Sequence, residues 1–104
     1  MLLSKNYQKD EIVCFKMVNG DEIVAKVIED KSPNGWIVQR PCTLIPGPQG
    51  IGLIQSLFGA DINKEVELKS EHVMMNAPVV KQLEDHYIQT TTGIQTISKG
   101  PIIV

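Results

Sequence analysis

Apolar residues recur at every second position twice near the start of the chain. Val13, Phe15 and Met17 share one face of a segment over 12–18, and Ile23, Ala25 and Val27 share one face of a second over 22–29. Period two is the pattern of a strand, whose successive side chains point to opposite faces. Between the two lies Asn19-Gly20, where both residues tolerate positive φ, so a tight hairpin is expected. Asp30-Lys31-Ser32-Pro33-Asn34-Gly35 predicts a second reversal, and a third strand runs from Trp36 to about Leu44. Pro41 inside it has no N–H to give a ladder, so a bulge or a sheet edge is expected there. Three strands joined by short turns form an antiparallel meander.

The pattern then breaks. Pro46, Gly47, Pro48, Gly50, Gly52 and Gly59 punctuate residues 46–64, around the apolar run Ile51-Gly52-Leu53-Ile54-Gln55-Ser56-Leu57-Phe58. That run reads either as a strand between loops or as a protruding loop whose apolar side chains are covered by another protein. Residues 66–68 and 72–75 predict two short strands around Lys69-Ser70-Glu71. Asn76 then suits a helix cap and Pro78 its first turn. Val79, Val80, Leu83, Tyr87 and Ile88 recur at helical spacing, with Lys81, Glu84 and Asp85 opposite. Thr90-Thr91-Thr92-Gly93 is expected to end the helix. Ile94, Ile97, Ile102, Ile103 and Val104 give an apolar tail that should dock on this chain or a neighbour. The polar residues 1–10 suggest a loose arm or a single helical turn.

At 104 residues, 42% hydrophobic and 21% charged, the chain fits one folded domain. The layout is an arm at 1–10, a β-domain at 11–76 with an inserted loop at 46–64, and a helix and tail at 77–104. No apolar run reaches the length of a membrane span, and Met1-Leu2-Leu3-Ser4-Lys5 lacks a signal-peptide core, so a cytoplasmic location is expected. A net charge of −2 and a single arginine, Arg40, argue against holding nucleic acid by bulk electrostatics. Cys14 and Cys42 read as reduced, small apolar side chains rather than a disulfide.

Catalytic signatures are not found. The glycines at 47–52 lack the lysine of a phosphate-binding loop. Cys14, Cys42, His72 and His86 have no metal-ligand spacing, and no local pattern marks a nucleophile. The expectation is a protein that is not an enzyme and takes no cofactor or metal.

The order of strands and turns over 13–44 resembles the first motif of the Sm-like family of small β-barrels. Asn19-Gly20 occupies the family's first turn, and Ala25 stands where a glycine is usual. The family's aspartate and asparagine of the second turn are matched in spacing by Asp30 and Asn34, one residue early; without a gap those positions hold Lys31 and Gly35. Leu68-Lys69-Ser70-Glu71-His72-Val73 resembles the second motif loosely, with lysine for arginine and serine for glycine. About three-quarters of the chain is covered, and a helix behind the barrel rather than before it is a departure. Divergent Sm-like proteins of tailed phages are the nearest in pattern, which would put the chain in the host cytoplasm.

The resemblance implies a mainly β fold: a five-stranded, strongly bent antiparallel sheet forming a small open barrel, with the helix and apolar tail following. It implies a homo-oligomeric ring, hexamer or heptamer, in which the fourth strand of one copy pairs with the fifth of the next. Val66, Leu68, His72, Val73, Met74 and Met75 would then lie at the subunit interface. It also implies single-stranded RNA near the pore, with Asn34, Trp36, Lys69 and Ser70 as candidate contacts. Three of them have a plainer use: Asn34 as a turn residue, Trp36 as core or interface packing, and Lys69 as an exposed lysine. The competing reading is an assembly module that keeps the barrel and lacks a nucleic-acid site. Residues 51–58 would offer a contact to a further protein, and no membrane partner is expected.

Overall fold

The computed structural model describes residues 6–97, with side chains to residue 92. The chain forms β1 (Ile12–Met17), β2 (Glu22–Asp30), β3 (Gly35–Gly47), β4 (Gly50–Gln55), β5 (Glu65–Lys69), a 3-10 turn (Ser70–His72), β6 (Val73–Pro78) and α1 (Lys81–Ile97). The antiparallel sheet runs β4-β3-β2-β1-β6, with β5 also on β3. It is bent into a small barrel that stays open. Six strands form rather than five, because residues 50–55 pair with 42–47 as a hairpin arm instead of looping freely.

The first turn differs in detail from a two-residue hairpin. Only Gly20 takes positive φ, at +99°. Asn19 Oδ1 instead accepts the Asp21 N–H at 2.9 Å, and the Met17 N–H donates to the Asp21 carbonyl. The asparagine thus works through its side chain, not through left-handed backbone.

Both faces of the sheet carry buried residues where β1, β2 and β3 meet. Val13, Phe15, Ile23, Ala25, Val27, Trp36 and Val38 fill the barrel interior. Ile12, Val24, Cys42 and Tyr87 form a second core, joined by Cys14, Leu44, Leu53, Val79 and Leu83, where α1 lies on the outer face. Strand β3 contributes even-numbered residues to both. Trp36 and Val38 point inward, whereas Cys42 and Leu44 meet the helix. Alternation would forbid this; an extra residue at Arg40–Pro41 permits it. Between the pairs Lys26↔Gln39 and Val24↔Cys42, β3 carries one residue more than β2, and Arg40 sits at φ +54°. The expected bulge at Pro41 is therefore present, and it inverts the facing of the strand.

Three expectations at the ends are corrected. Asn76 and Pro78 do not start the helix but close β6. The Asn76 side chain is engaged by the Tyr7 hydroxyl at 2.6 Å, and the Val79 N–H still donates to the Ile12 carbonyl, so the extended pairing carries past Pro78. The helix also runs on through Thr90–Gly93. Thr91 and Thr92 turn their hydroxyls back to the carbonyls of Tyr87 and Ile88, at 2.9 and 2.8 Å, which satisfies them inside the helix. The arm is neither loose nor helical over its described part. The Tyr7 N–H donates to Asp30 at 2.7 Å and the Asp10 N–H to the Val27 carbonyl. Of the expected apolar tail, Ile94 and Ile97 continue α1 instead, and residues 98–104 lie outside the described residues.

Cys14 and Cys42 are both free thiols. They flank Val24 across β1, β2 and β3, two strand spacings or roughly 9–10 Å apart, beyond disulfide reach. Burial pushes the Cys42 thiol up from 9.0 to about 11, and burial pushes the Tyr87 phenol up as well, with the Cys42 charge adding to it. Both groups stay neutral in the fold and ionise more readily unfolded. Their contribution is complete below pH 9 and is lost as pH rises, Cys42 first and Tyr87 above pH 10. Urea midpoints should thus fall between pH 9 and 11, and Cys42→Ala should flatten the first part of that fall.

Candidate functional site

Two turns meet at one end of the barrel. The 31–35 reversal closes on itself through Lys31 N–H to the Gly35 carbonyl and Asn34 N–H to the Lys31 carbonyl, both 2.8 Å. Gly35 then pairs with Lys69 and Trp36 with Leu68 as β3 meets β5. The Ser70 hydroxyl donates to the Pro33 carbonyl at 2.7 Å, and the Ser70 N–H donates to the Asn34 carbonyl at 3.1 Å. So Asn34, Lys69 and Ser70, far apart in sequence, are neighbours.

Trp36 belongs elsewhere. It is 6% exposed and meets Phe15 edge-on, ring centroids 5.0 Å apart. It packs in the core, and its ring is not open for a base to stack on. Its indole N–H leans toward Asp30 without reaching hydrogen-bond geometry. Burial pushes the Asp30 carboxyl up, but the Ser32 hydroxyl, the Tyr7 and Ser32 amides and the indole together outweigh it, holding the pKa below its usual value. Asp30 thereby ties the arm to the turn as an anion.

The charges around Lys69 are mixed. Glu67 lies 4.0 Å from it, both side chains more than half exposed, and Glu71 lies 3.7 Å from His72. An exposed pair of this kind contributes little to stability, yet its carboxylate offsets the positive charge that a phosphate would meet. Ser70 is held by the turn it braces. Asn34 is exposed.

The two strands beyond these turns each have an open side. Among the described residues β5 pairs only with β3, and β6 only with β1. On β5, Val66 and Leu68 turn into the barrel while Glu65, Glu67 and Lys69 face out. On β6 only Val73 is half-buried; Met74 and Met75 are 59% and 62% exposed. A bare strand edge with large apolar side chains is a template for another strand. His72 ends the 3-10 turn between the two, and its carbonyl accepts the Val18 N–H.

Strands β4 and β5 lie end to end on the same side of β3, since β2 occupies the other side. Residues 56–64 bulge out between them. This excursion is built, not loose: Ile62 is buried, Gln39 donates to the Asn63 carbonyl at 2.6 Å, and Arg40 donates to the Asn63 side chain at 3.0 Å. At its crest Leu57 and Phe58 are exposed, Phe58 at 71%. A cavity of about 460 Å³ opens beside it, lined by Met17, Ile23, Val38, Leu57, Val66 and Leu68 among others. Its titratable lining residues are Asp21, Glu67 and His72.

Among the described residues no three His, Cys, Asp or Glu side chains gather closely enough for a metal ion. No helix there is long and apolar enough to cross a membrane. The excursion's anchoring by Arg40 and Asn63 was not legible beforehand, because it depends on the bulge aiming Arg40 sideways. No protein-family model matches the sequence, and no curated protein does either.

Proposed function

We propose that this chain is a ring-forming Sm-like subunit, in which the open side of β5 on one copy takes β6 of the next. The observation that carries this reading is the pair of bare edges on strands joined by only three residues. A heterologous contact of this type leaves a new edge on each added copy until the ring closes and every edge is paired. The strand order β5-β3-β2-β1-β6 supports the reading: with β4 set aside as an added arm, the two edges are the fourth and fifth strands, those the Sm-like resemblance pairs between copies. On this reading Val66, Leu68, Val73, Met74 and Met75 line the joint, and the protein acts by binding and assembly, not by catalysis.

The native mass tests it. From 11.5 kDa per chain, a hexamer or heptamer is about 69 or 80 kDa by light scattering or native mass spectrometry. A monomer that persists at high concentration overturns the proposal.

RNA binding is the second reading, favoured by the meeting of Asn34, Lys69 and Ser70. Against it stand the buried Trp36 and Glu67 beside Lys69, and we place assembly first. Short uridine-rich and adenine-rich RNAs, titrated with salt, separate the two. An RNA site there gives binding that weakens as salt rises and drops with Lys69→Ala; the assembly reading gives no binding even at low salt.

A further inference from the structure

We infer that the 56–64 excursion is a second joint between copies, with Phe58 of one copy seated on the β6–α1 junction of the next. The inference rests on the ring reading above and adds to it a contact that strand pairing alone does not require.

Three observations lead to it. First, position: the excursion runs directly into β5 at Glu65, and the junction runs directly out of β6 at Pro78. When β6 of a second copy lies antiparallel against β5, the residues before Glu65 come alongside those after Pro78. Second, matching exposure: Leu57 and Phe58 stand uncovered on the excursion, and Val80, 66% exposed, stands uncovered on the junction. The excursion is held out by Ile62, Gln39 and Arg40, so its crest is presented, which lowers the entropy lost on docking. Third, size: a pairing of five or six residues is about 17–20 Å long. Stable interfaces bury roughly 800 Å² on each partner, so large apolar side chains beside the strands are needed to reach that area. Phe58, Leu57, Met74, Met75 and Val80 supply them.

Charge agrees with the same placement. In the joined sheet Glu65 and Glu67 face outward on β5. Across β6 of the second copy comes the outward face of its β1, where Lys16 pairs with Met75. The lysine and the glutamates are then two strands apart, with opposite signs.

The experiment places a photo-crosslinking residue at Phe58 of the full chain, using a mixture of ¹⁴N and ¹⁵N copies so that links within and between copies differ in mass. Links from position 58 to residues 78–84 of a second copy are expected. Phe58→Asp should raise the dissociation constant of the assembly at least tenfold, with circular dichroism unchanged because the site is exposed. Links to residues 98–104 of the same chain, links to another surface, or a Phe58→Asp assembly as tight as the parent overturn the inference. In those cases a parental mass of six or seven copies leaves the ring reading standing, whereas a monomeric parent removes both.

Discussion

Gly35→Ala should destabilise the protein by roughly 3 kcal/mol or more, enough to leave little folded material. Two causes add. The residue holds φ +144°, a conformation that side chains rarely adopt. A Cβ built there would also stand 2.2 Å from the Leu68 carbonyl oxygen and 3.1 Å from the Lys69 Cα and the Ser70 nitrogen, all of them backbone atoms. None can swing aside, since Gly35 pairs with Lys69 and the Ser70 N–H is fixed on Asn34. Gly20→Ala is the control. It shares the strain of positive φ, at +99°, but has nothing within 4 Å, so about 1 kcal/mol is expected. Urea denaturation of the pair would show whether the close approach of the two turns, beyond backbone conformation, demands glycine at 35.

The second large effect belongs to Tyr87. It is 2% exposed, fills the core between α1 and the sheet, and donates its hydroxyl to the carbonyls of Gln39 and Arg40 at 3.2 and 2.8 Å. Those carbonyls flank the bulge, where the β2 ladder is interrupted. Tyr87→Ala should cost about 3–5 kcal/mol through the cavity and the lost bonds. Tyr87→Phe keeps the ring and should cost about 1–2 kcal/mol, the penalty for leaving the bulge carbonyls without their donor. If the phenylalanine variant is as stable as the parent, water or a neighbouring group takes over the hydroxyl's task and the bulge does not depend on the helix.

The meander was legible because its information is local. Val13, Phe15, Ile23, Ala25 and Val27 alternate in sequence as they do in space, and Pro41 announces its bulge by lacking a donor. The helix boundaries were not legible for the opposite reason. Asn76 and Pro78 have the local preferences of a helix start, but β1 offers them hydrogen bonds and Tyr7 claims the asparagine side chain. Long-range pairing overrode local preference. Thr90–Gly93 failed as a stop because the carbonyls one turn back accept the threonine hydroxyls. The candidate site divides in the same way. That Asn34 meets Lys69 and Ser70 agrees with the spacing of the two turn motifs, whereas the fate of Trp36 was set by Phe15, twenty-one positions earlier in the chain. The excursion at 56–64 was visible only as a glycine-punctuated apolar stretch. Its shape comes from Arg40 and Gln39, which local pattern does not connect to it.

The inversion at Arg40–Pro41 has a wider consequence for how the chain tolerates change. Strand β3 is written in two reading frames, one ending at Gln39 and the other opening at Cys42. A substitution that suits one side of the boundary is the wrong choice at the same parity on the other. Losing or gaining a single residue there would turn Cys42 and Leu44 away from the helix as a block, while Trp36 and Val38 kept their places. The segment is therefore intolerant of any change in count.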